Sequence, residues 1–173
     1  MQEYVVGFLF NTDRTQVALI QKNRPKWQAG KFNGIGGHVE KHTPACIVHD
    51  PPPCDIGNFE PCNCSGETPG AAMRREFLEE TGVLVEGWQK FLSLTYPTAR
   101  VHFYRAFDDA VYNVETTTDE LVALQTLSTR YVPASRAEIV LPINVIPNLA
   151  WIIPMALSME TDMATSFDVK AVA

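Results

Sequence analysis

The hydrophobic and polar positions along the chain predict short strands around a glycine-rich region. Tyr4 to Phe10 and Gln16 to Gln21 are rich in β-branched and aromatic residues, and the turn-like sequence NTDR lies between them. The runs QKFLSLTY and RVHFYRAF have the same character and flank the turn PTA, and LVALQTLS follows the acidic stretch TTTDE. We therefore expect a hairpin at the start of the chain and at least three later strands.

Two helices are predicted among these strands. The first runs over residues 69 to 81, because Thr68 is a favourable N-cap, Pro69 suits the first helical position and Gly82 follows the end. The second runs from about Val145 to Met159 at the end of the chain. Helices that cover a central sheet on both faces give an α/β sandwich, and the length of 173 residues fits one domain over residues 1–173.

The uncharged run from Ile139 to Leu157 is about as long as a membrane span, but Pro142, Pro147 and Pro154 interrupt it. This pattern favours a buried terminal helix over a membrane segment. The first ten residues have no positive charge before their apolar run and no small-residue cleavage site, so we read them as a strand and expect a cytoplasmic protein. The net charge of −6 argues against nucleic-acid binding, which draws on clustered Lys and Arg.

Residues 41–64 break every periodic pattern and form an inserted loop. The segment is rich in proline and carries all four cysteines of the chain: Cys46, Cys54, Cys62 and Cys64. With nearby histidines, the cysteines are candidate ligands for a zinc ion that orders the loop. Their spacing lacks the paired C-x2-C arrangement of familiar zinc modules, so disulfides and free thiols stay open as alternatives.

Three carboxylates project from one face of the first predicted helix. Glu76, Glu79 and Glu80 stand at positions i, i+3 and i+4, while Met73, Phe77 and Leu78 form the apolar stripe of the other face. Like charges this close repel, and Arg75 offsets only part of the repulsion. The cluster therefore suits a hard divalent cation such as Mg²⁺, although a solvated acidic helix face is the simpler alternative.

A glycine pair bears on the choice between a metal site and a solvated acidic face. Gly36 and Gly37 precede the insertion and allow a backbone to approach closely and present its carbonyl groups beside a metal ion. A solvated acidic face gives no reason for such a turn, so the two features together favour a metal site.

These residues resemble the Nudix hydrolase signature: Gly, five residues, Glu, seven residues, Arg-Glu, an apolar residue, any residue, Glu-Glu, any residue, Gly and an apolar residue. The second part matches in order and spacing at Glu67, Arg75, Glu76, Phe77, Glu79, Glu80, Gly82 and Val83. Gly37 takes the first position only when residues 41–64 are removed, which leaves five residues between Gly37 and Glu67. The chain thus resembles a Nudix enzyme with a 24-residue insertion inside its signature.

The resemblance implies an αβα sandwich with a mixed central sheet and hydrolysis of nucleoside diphosphates linked to another group, with Mg²⁺ or Mn²⁺ as cofactor. It makes Glu76 a metal ligand or the general base, Glu79 and Glu80 metal ligands, and Arg75 the residue that orients a glutamate. Gly37, or the adjacent Gly36, would supply a backbone carbonyl to the metal. Glu120 is the candidate for a further acid from a later loop, with a turn-forming role as its alternative.

The stretch AGKFNGIGGHVE is similar to the MutT-like branch of the family, which hydrolyses oxidised purine nucleoside triphosphates such as 8-oxo-dGTP. That resemblance implies that Asn33 and Asn148 read the purine edge, since an amide both donates and accepts hydrogen bonds. Trp27 and Trp151 are candidates to stack on the base. The alternatives are a turn residue for Asn33, an N-cap for Asn148 and core packing for the tryptophans.

The expected partner is a small nucleotide. Hydrolysis of a nucleotide sugar or a dinucleoside polyphosphate is the second enzymatic possibility, and a nucleotide-binding module without catalysis is the alternative from another class. The insertion lies beside the predicted metal site, so covering the substrate pocket or joining two copies as a homodimer are hypotheses for its role.

Overall fold

A computed structural model of the chain describes residues 1–40, 66–132, 136–141, 144–158 and 167–170. The insertion at 41–64 and its four predicted zinc ligands lie outside these residues. Nine strands and two helices are described, with a 3₁₀ turn after β5. In chain order they are β1 (Gln2–Phe10), β2 (Gln16–Gln21), β3 (Phe32–Asn33), α1 (Pro69–Thr81), β4 (Gln89–Thr95), β5 (Ala99–Phe107), the 3₁₀ turn (Asp109–Asn113), β6 (Leu121–Thr126), β7 (Ser128–Val132), β8 (Arg136–Val140), α2 (Leu149–Ser158) and β9 (Phe167–Lys170).

Seven of the described strands form one mixed sheet. The strand order is β3-β2-β1-β5-β4-β9, and β6, which is not on this path, also pairs with β2. β7 and β8 form a separate two-stranded sheet. β1 and β5 are parallel, with Gln2 opposite Ala99 and Phe10 opposite Phe107, whereas β1 and β2 are antiparallel. A parallel pair needs a crossover connection, and α1 lies in the segment that provides it.

Each face of the sheet packs against one helix. Successive residues of a strand point to opposite faces, so Val5 and Leu9 of β1 join the buried cluster that contains Phe77 of α1. Phe8 and Phe10 of the same strand join the cluster around α2. The described residues therefore confirm the α/β sandwich with a helix on either side of a mixed sheet.

α1 begins and ends where its boundary residues predict. Thr68 Oγ1 accepts a hydrogen bond from the Ala71 N–H at 3.2 Å, and Pro69 occupies the first turn. Gly82 has a left-handed φ of 72° and donates its N–H to the Leu78 carbonyl at 2.8 Å. The apolar stripe differs from the prediction at one position: Met73 and Phe77 are buried, but Leu78 is 42% exposed because it lies beyond the edge of the face that packs on the sheet.

α2 begins later than the sequence predicts, at Leu149 rather than near Val145. The backbone just before it pairs with β3: Phe32 N–H donates to the Asn144 carbonyl at 2.7 Å, and Ile146 N–H donates to the Phe32 carbonyl at 3.0 Å. These bonds make Val145 the bridge partner of Phe32, and Pro147 follows, so the helix begins only after this pairing. Neither helix in the described parts of the chain is long and apolar enough to cross a membrane.

Candidate active site

The glycine pair carries the chain past the acidic helix at close range. Residues 35–39 run beside β1, where Gly7 N–H donates to the Ile35 carbonyl at 2.7 Å and Val5 N–H donates to the Gly37 carbonyl at 2.9 Å. A Cβ atom on Gly37 would lie 2.4 Å from Glu76 Oε2. Because real Cβ atoms do not approach so closely, only glycine at this position leaves room for the Glu76 carboxylate.

Gly36 is required for a different reason. Its φ of +152° lies at the margin of the region that L side chains rarely adopt, and an added Cβ would meet the Val5 carbonyl oxygen at 2.2 Å. The two glycines thus bring a backbone turn against β1 on one side and against Glu76 on the other. The predicted contact between the turn and the acidic helix is present.

Arg75 connects the glutamates of α1 with Glu67 and with the glycine turn. Its guanidinium binds both carboxylate oxygens of Glu67, from Nε and from a terminal nitrogen, each at 2.9 Å. Its other terminal nitrogen donates to Glu76 Oε1 and to Glu79 Oε2, both at 3.0 Å. A further hydrogen bond, at 3.0 Å, goes to the carbonyl of His38 beside the glycine turn. The hydrogen bond to Glu67 is the main reason that the pKa of Arg75 is raised, so this cation stays charged.

The two ends of the insertion meet at this network. Glu67 N–H donates to the Glu40 carbonyl at 3.2 Å, and Glu40 N–H donates to Glu67 Oε2 at 3.1 Å. Burial pushes the pKa of Glu67 upward, but the hydrogen bonds from Arg75 and Glu40 outweigh burial and hold the pKa below its ordinary value. The insertion is therefore looped out of a signature whose two parts remain adjacent.

The side chain of Glu76 is only 14% exposed, whereas that of Glu79 on the same acidic face is 56% exposed. Burial raises the pKa of Glu76 and outweighs the opposing effect of Arg75, and the charges of Glu79 and Glu80 add to the increase. A carboxylate of raised pKa in a partly buried position has the properties of a general base or of a ligand that awaits a cation.

The donor set of this region fits a hard divalent cation. Carboxylate and backbone carbonyl oxygens are the ligands that Mg²⁺ and Mn²⁺ prefer, and Glu76, Glu79, Glu80 and Gly37 supply both kinds. Within the described ranges, no three His, Cys, Asp or Glu side chains are already gathered as a metal cluster. Arg75 accounts for the separation of these carboxylates, because its guanidinium lies between those of Glu76 and Glu79 and neutralises them.

Glu120, the predicted further acid, lies in a different ion pair. Its carboxylate pairs with Lys22 Nζ and accepts a hydrogen bond from the Asn23 N–H at 2.7 Å. Burial opposes ionisation, but the hydrogen bonds from Lys22 and Asn23 lower the pKa of Glu120 below its ordinary value. The loop that carries Glu120 reaches α1 through Thr118, whose Oγ1 donates to Glu80 Oε2 at 2.8 Å.

A cavity of about 730 Å³ opens on the α2 face of the sheet, and Gly36 and Gly37 are among the residues that line it. This volume lies in the range of about 300 to 1,000 Å³ that is typical of small-molecule sites. Three of the four predicted substrate residues line it: Asn33, Trp27 and Asn148. Trp151 is not among the lining residues and is 43% exposed on α2, so the structure does not bring this residue to the others.

The alternatives for these residues are resolved in part. Trp27 is 61% exposed at the cavity and Trp151 is 43% exposed, so neither packs in the core. Asn33 accepts the Gly34 N–H on Oδ1 at 2.8 Å and donates to Gln28 Oε1 at 3.3 Å, so it stabilises a turn while it lines the cavity. Asn148 immediately precedes α2, and its carbonyl accepts the Ile152 N–H at 3.1 Å.

Sequence reasoning missed much of the cavity wall. The additional polar lining residues are Tyr4, Lys22, Arg24, Gln28, His38, Tyr96 and Thr98. Tyr4 was recoverable, because the period of two along β1 places it on the same face as Val6 and Phe8. The others lie on loops whose meeting no periodic pattern predicts.

Comparisons with known proteins identify a family for the chain. The family model described as "NUDIX domain" matches residues 1–144. No curated protein matches the chain. Among solved structures, a MutT protein from work on Aliivibrio salmonicida and Vibrio cholerae has 22% sequence identity and a TM-score of 0.49, over 72% of this chain and 79% of that chain. The MutT protein of Bacillus halodurans has 17% identity and a TM-score of 0.49, over 92% of this chain and 84% of that chain.

The family match covers most of the 173 residues and includes both the glycine turn and the acidic helix. It extends across the insertion, whose two ends the pairing of Glu40 with Glu67 holds together. The chain therefore belongs to the Nudix family, whose hydrolases act on phosphoric anhydride bonds.

Proposed function

We propose that this protein is a Mg²⁺- or Mn²⁺-dependent nucleoside triphosphate pyrophosphohydrolase that releases a monophosphate and pyrophosphate. One observation carries the proposal: the glycine turn lines the cavity of about 730 Å³ and leaves no room for a Cβ atom between Gly37 and the carboxylate of Glu76. A nucleoside held in this cavity directs its phosphate chain past the turn toward the acidic face of α1.

The metal ion would be held by Glu76, Glu79, Glu80 and a carbonyl of the glycine turn, with Glu120 as a further ligand. When bound, it would neutralise charge on the phosphate oxygens and favour deprotonation of water. Glu76 serves as a metal ligand or as the general base that accepts the proton of the attacking water. The new bond forms between the water oxygen and phosphorus, the anhydride P–O bond breaks, and pyrophosphate leaves.

Arg75 orients the carboxylates in this scheme. Its contacts fix Glu67 on one side and Glu76 and Glu79 on the other, so the glutamates are aligned before a metal ion arrives. Removing the guanidinium would leave these carboxylates to repel one another without a partner.

The preferred nucleotide in this proposal is an oxidised purine nucleoside triphosphate such as 8-oxo-dGTP. Asn33 and Asn148 line one cavity and carry amides that pair with a purine edge, and Trp27 offers an exposed ring for stacking. Trp151 has no part in this version, because it does not line the cavity. The proposed location is the cytoplasm, where nucleotides are available. A homodimer stays a prediction.

A substrate panel tests the proposal. Purine and pyrimidine nucleoside triphosphates, 8-oxo-dGTP, nucleotide sugars and dinucleoside polyphosphates are incubated with Mg²⁺ or with EDTA, and release of phosphate and pyrophosphate is measured. We expect Mg²⁺-dependent release of pyrophosphate from triphosphates, with 8-oxo-dGTP preferred. Turnover of nucleotide sugars or dinucleoside polyphosphates alone would favour the second enzymatic possibility.

The variant Glu76→Gln separates catalysis from binding. We expect kcat to fall by about 10²- to 10⁴-fold, as for the loss of a general base, with the fold intact. Glu86→Gln is the matched control, because Glu86 is 66% exposed and pairs only with Arg74 among the ion pairs of the described residues. Binding of nucleotide with no turnover in the native protein would instead support the non-catalytic module.

A further inference from the structure

The ion pair between Lys22 and Glu120 connects the cavity with the loop beside the acidic helix. β2 and β6 are antiparallel with Gln21 opposite Leu121, so Lys22 and Glu120 are the next residues across the two strands. Lys22 also lines the cavity that Gly37 lines. The side chains of the pair are 17% and 12% exposed, so water screens their attraction only in part.

The backbone that carries Glu120 is fixed against α1. Thr118 Oγ1 donates to Glu80 Oε2 at 2.8 Å and accepts the Glu120 N–H at 3.4 Å, and Thr117 Oγ1 donates to the Glu79 carbonyl. Glu120 is thus two hydrogen bonds away from a carboxylate of the acidic face, while its own carboxylate turns toward Lys22. The loop that carries Glu120 is therefore bonded to α1, although the Glu120 carboxylate itself pairs with Lys22.

We infer that Lys22 is a positioning residue that holds the Glu120 carboxylate away from the acidic face of α1 until a nucleotide enters the cavity. The inference rests on the proposed function. A triphosphate carries several negative charges into the cavity that Lys22 lines. It therefore competes with Glu120 for the positive charge of Lys22. The freed carboxylate then joins Glu80 and its neighbours when a divalent cation neutralises their repulsion.

The exchange links nucleotide binding to the completion of the metal ligand set. Without a nucleotide, Lys22 and the cation compete for one carboxylate, so the cation binds less tightly than the full set of acids allows. With a nucleotide, that competition ends. By thermodynamic linkage, the cation then favours nucleotide binding by the same factor.

The affinity for Mn²⁺ alone tests this exchange without any turnover. Free Mn²⁺ is titrated by its electron paramagnetic resonance signal against the full-length protein, the variants Lys22→Met and Glu120→Gln, and the double variant. We expect Lys22→Met to tighten Mn²⁺ binding by about three- to tenfold, the size of one partly shielded ion pair. Glu120→Gln should abolish this gain, so the double variant binds no more tightly than Glu120→Gln alone.

Two control variants exclude a general charge effect and a folding defect. Lys26→Met removes an equal charge from an exposed position in the same loop and should leave Mn²⁺ affinity unchanged. Lys22→Arg keeps the ion pair and should behave as the native protein. An equal gain with Lys26→Met, a gain that persists in the double variant, or no gain with Lys22→Met would each overturn the inference.

The experiment also separates this inference from the proposed function. A native protein that hydrolyses triphosphates, with an Mn²⁺ affinity that Lys22→Met does not change, disproves the exchange alone. A native protein that neither binds Mn²⁺ nor hydrolyses any nucleotide disproves both.

Discussion

The missing side chain at Gly37 decides how close the glycine turn comes to Glu76. Gly37 lies outside the left-handed region in which Gly30, Gly36, Gly82 and Gly87 are found, so its backbone conformation suits any residue. The constraint is therefore one of space, since a Cβ would lie 2.4 Å from one carboxylate oxygen of Glu76 and 2.6 Å from the other.

The variant Gly37→Ala should displace the Glu76 carboxylate and reduce kcat/KM by about 100-fold, because small displacements of a catalytic group are costly. The free energy of unfolding should change by less than about 2 kcal/mol, because one side chain can rotate away. Steady-state kinetics and urea denaturation measure the two effects. Gly70→Ala is the matched control, since nothing lies within 4 Å of a Cβ at that position. A Gly37→Ala enzyme with native kinetics would show that the contact is unimportant for turnover.

The raised pKa of Glu76 makes a second prediction, about stability without metal. Burial raises this pKa above its unfolded value, so the contribution of the carboxyl group to stability is fully present below the unfolded pKa and is lost as pH rises through the folded pKa. At neutral pH the ionised group destabilises the metal-free fold. Glu76→Gln should therefore stabilise the metal-free protein by about 0.5 kcal/mol at pH 7, the size of one or two like-charge repulsions.

Urea denaturation in EDTA at about pH 4 and pH 7 measures this effect, which should be smaller at the lower pH because Glu76 is then largely protonated. Saturating Mg²⁺ should reverse the order, since the native protein gains the free energy of metal binding and the variant gains less. If Glu76→Gln instead destabilises the metal-free protein at pH 7, its hydrogen bond with Arg75 outweighs burial and repulsion.

At the scale of single elements, the sequence predicted those that local signals specify. Capping residues placed α1 at residues 69–81, and runs of β-branched and aromatic residues placed β2, β4 and β5 within one or two residues of their ends. The prediction did not include β7, β8 or β9, missed β3, which has only two residues, and started α2 too early. The last two errors have one cause: Phe32 pairs with the backbone at 144–146, and no local pattern reports a contact more than 100 residues away.

A short turn could replace the insertion, given the positions of its two ends. Removing residues 41–64 would join Glu40 to Ser65, Gly66 and Glu67, so the observed bond from Glu67 N–H to the Glu40 carbonyl becomes the bond between the first and fourth residues of a β-turn. Gly66 would take the third position, which accepts glycine in most turn types. The shortened chain therefore has a ready connection at the observed geometry.

We predict that the deletion variant folds, keeps its Mg²⁺-dependent hydrolysis and gains about 1 to 2 kcal/mol of stability. The gain follows from the closure entropy of the long loop, about 0.6 kcal/mol for each doubling of length. Urea denaturation and kinetics of the two forms give the comparison. A loss of turnover, a changed substrate preference or a changed oligomeric state would instead show that the insertion contributes to the site or to assembly.

At the scale of the whole molecule, the two parts of the site lie on opposite faces of one sheet. The acidic face belongs to α1, whereas the cavity lies on the α2 face, and the glycine turn at the sheet joins them. The sequence predicted the acidic part because its residues are neighbours on one helix. It missed most of the cavity, because residues such as Lys22, Gln28 and Tyr96 meet only after the sheet has formed, and the cavity does not include Trp151.

This division predicts that recognition of the nucleoside by Asn148 is separable from metal dependence, because the link inferred above between nucleotide and cation acts through the phosphate charges and Lys22. Asn148→Ala removes an amide that lines the cavity and should raise KM for the preferred triphosphate by about tenfold, the cost of one or two hydrogen bonds, without a change in the Mg²⁺ concentration for half-maximal rate. Glu79→Gln should raise that Mg²⁺ concentration.

Because the two residues lie on different faces and share no partner among the described contacts, their effects on kcat/KM should add within about 0.5 kcal/mol in the double variant. Steady-state kinetics of the four proteins over a range of Mg²⁺ and nucleotide concentrations measures the coupling. A coupling well above that limit would mean that the sheet transmits strain between its faces, so the cavity and the acidic helix would have to be treated as a single site.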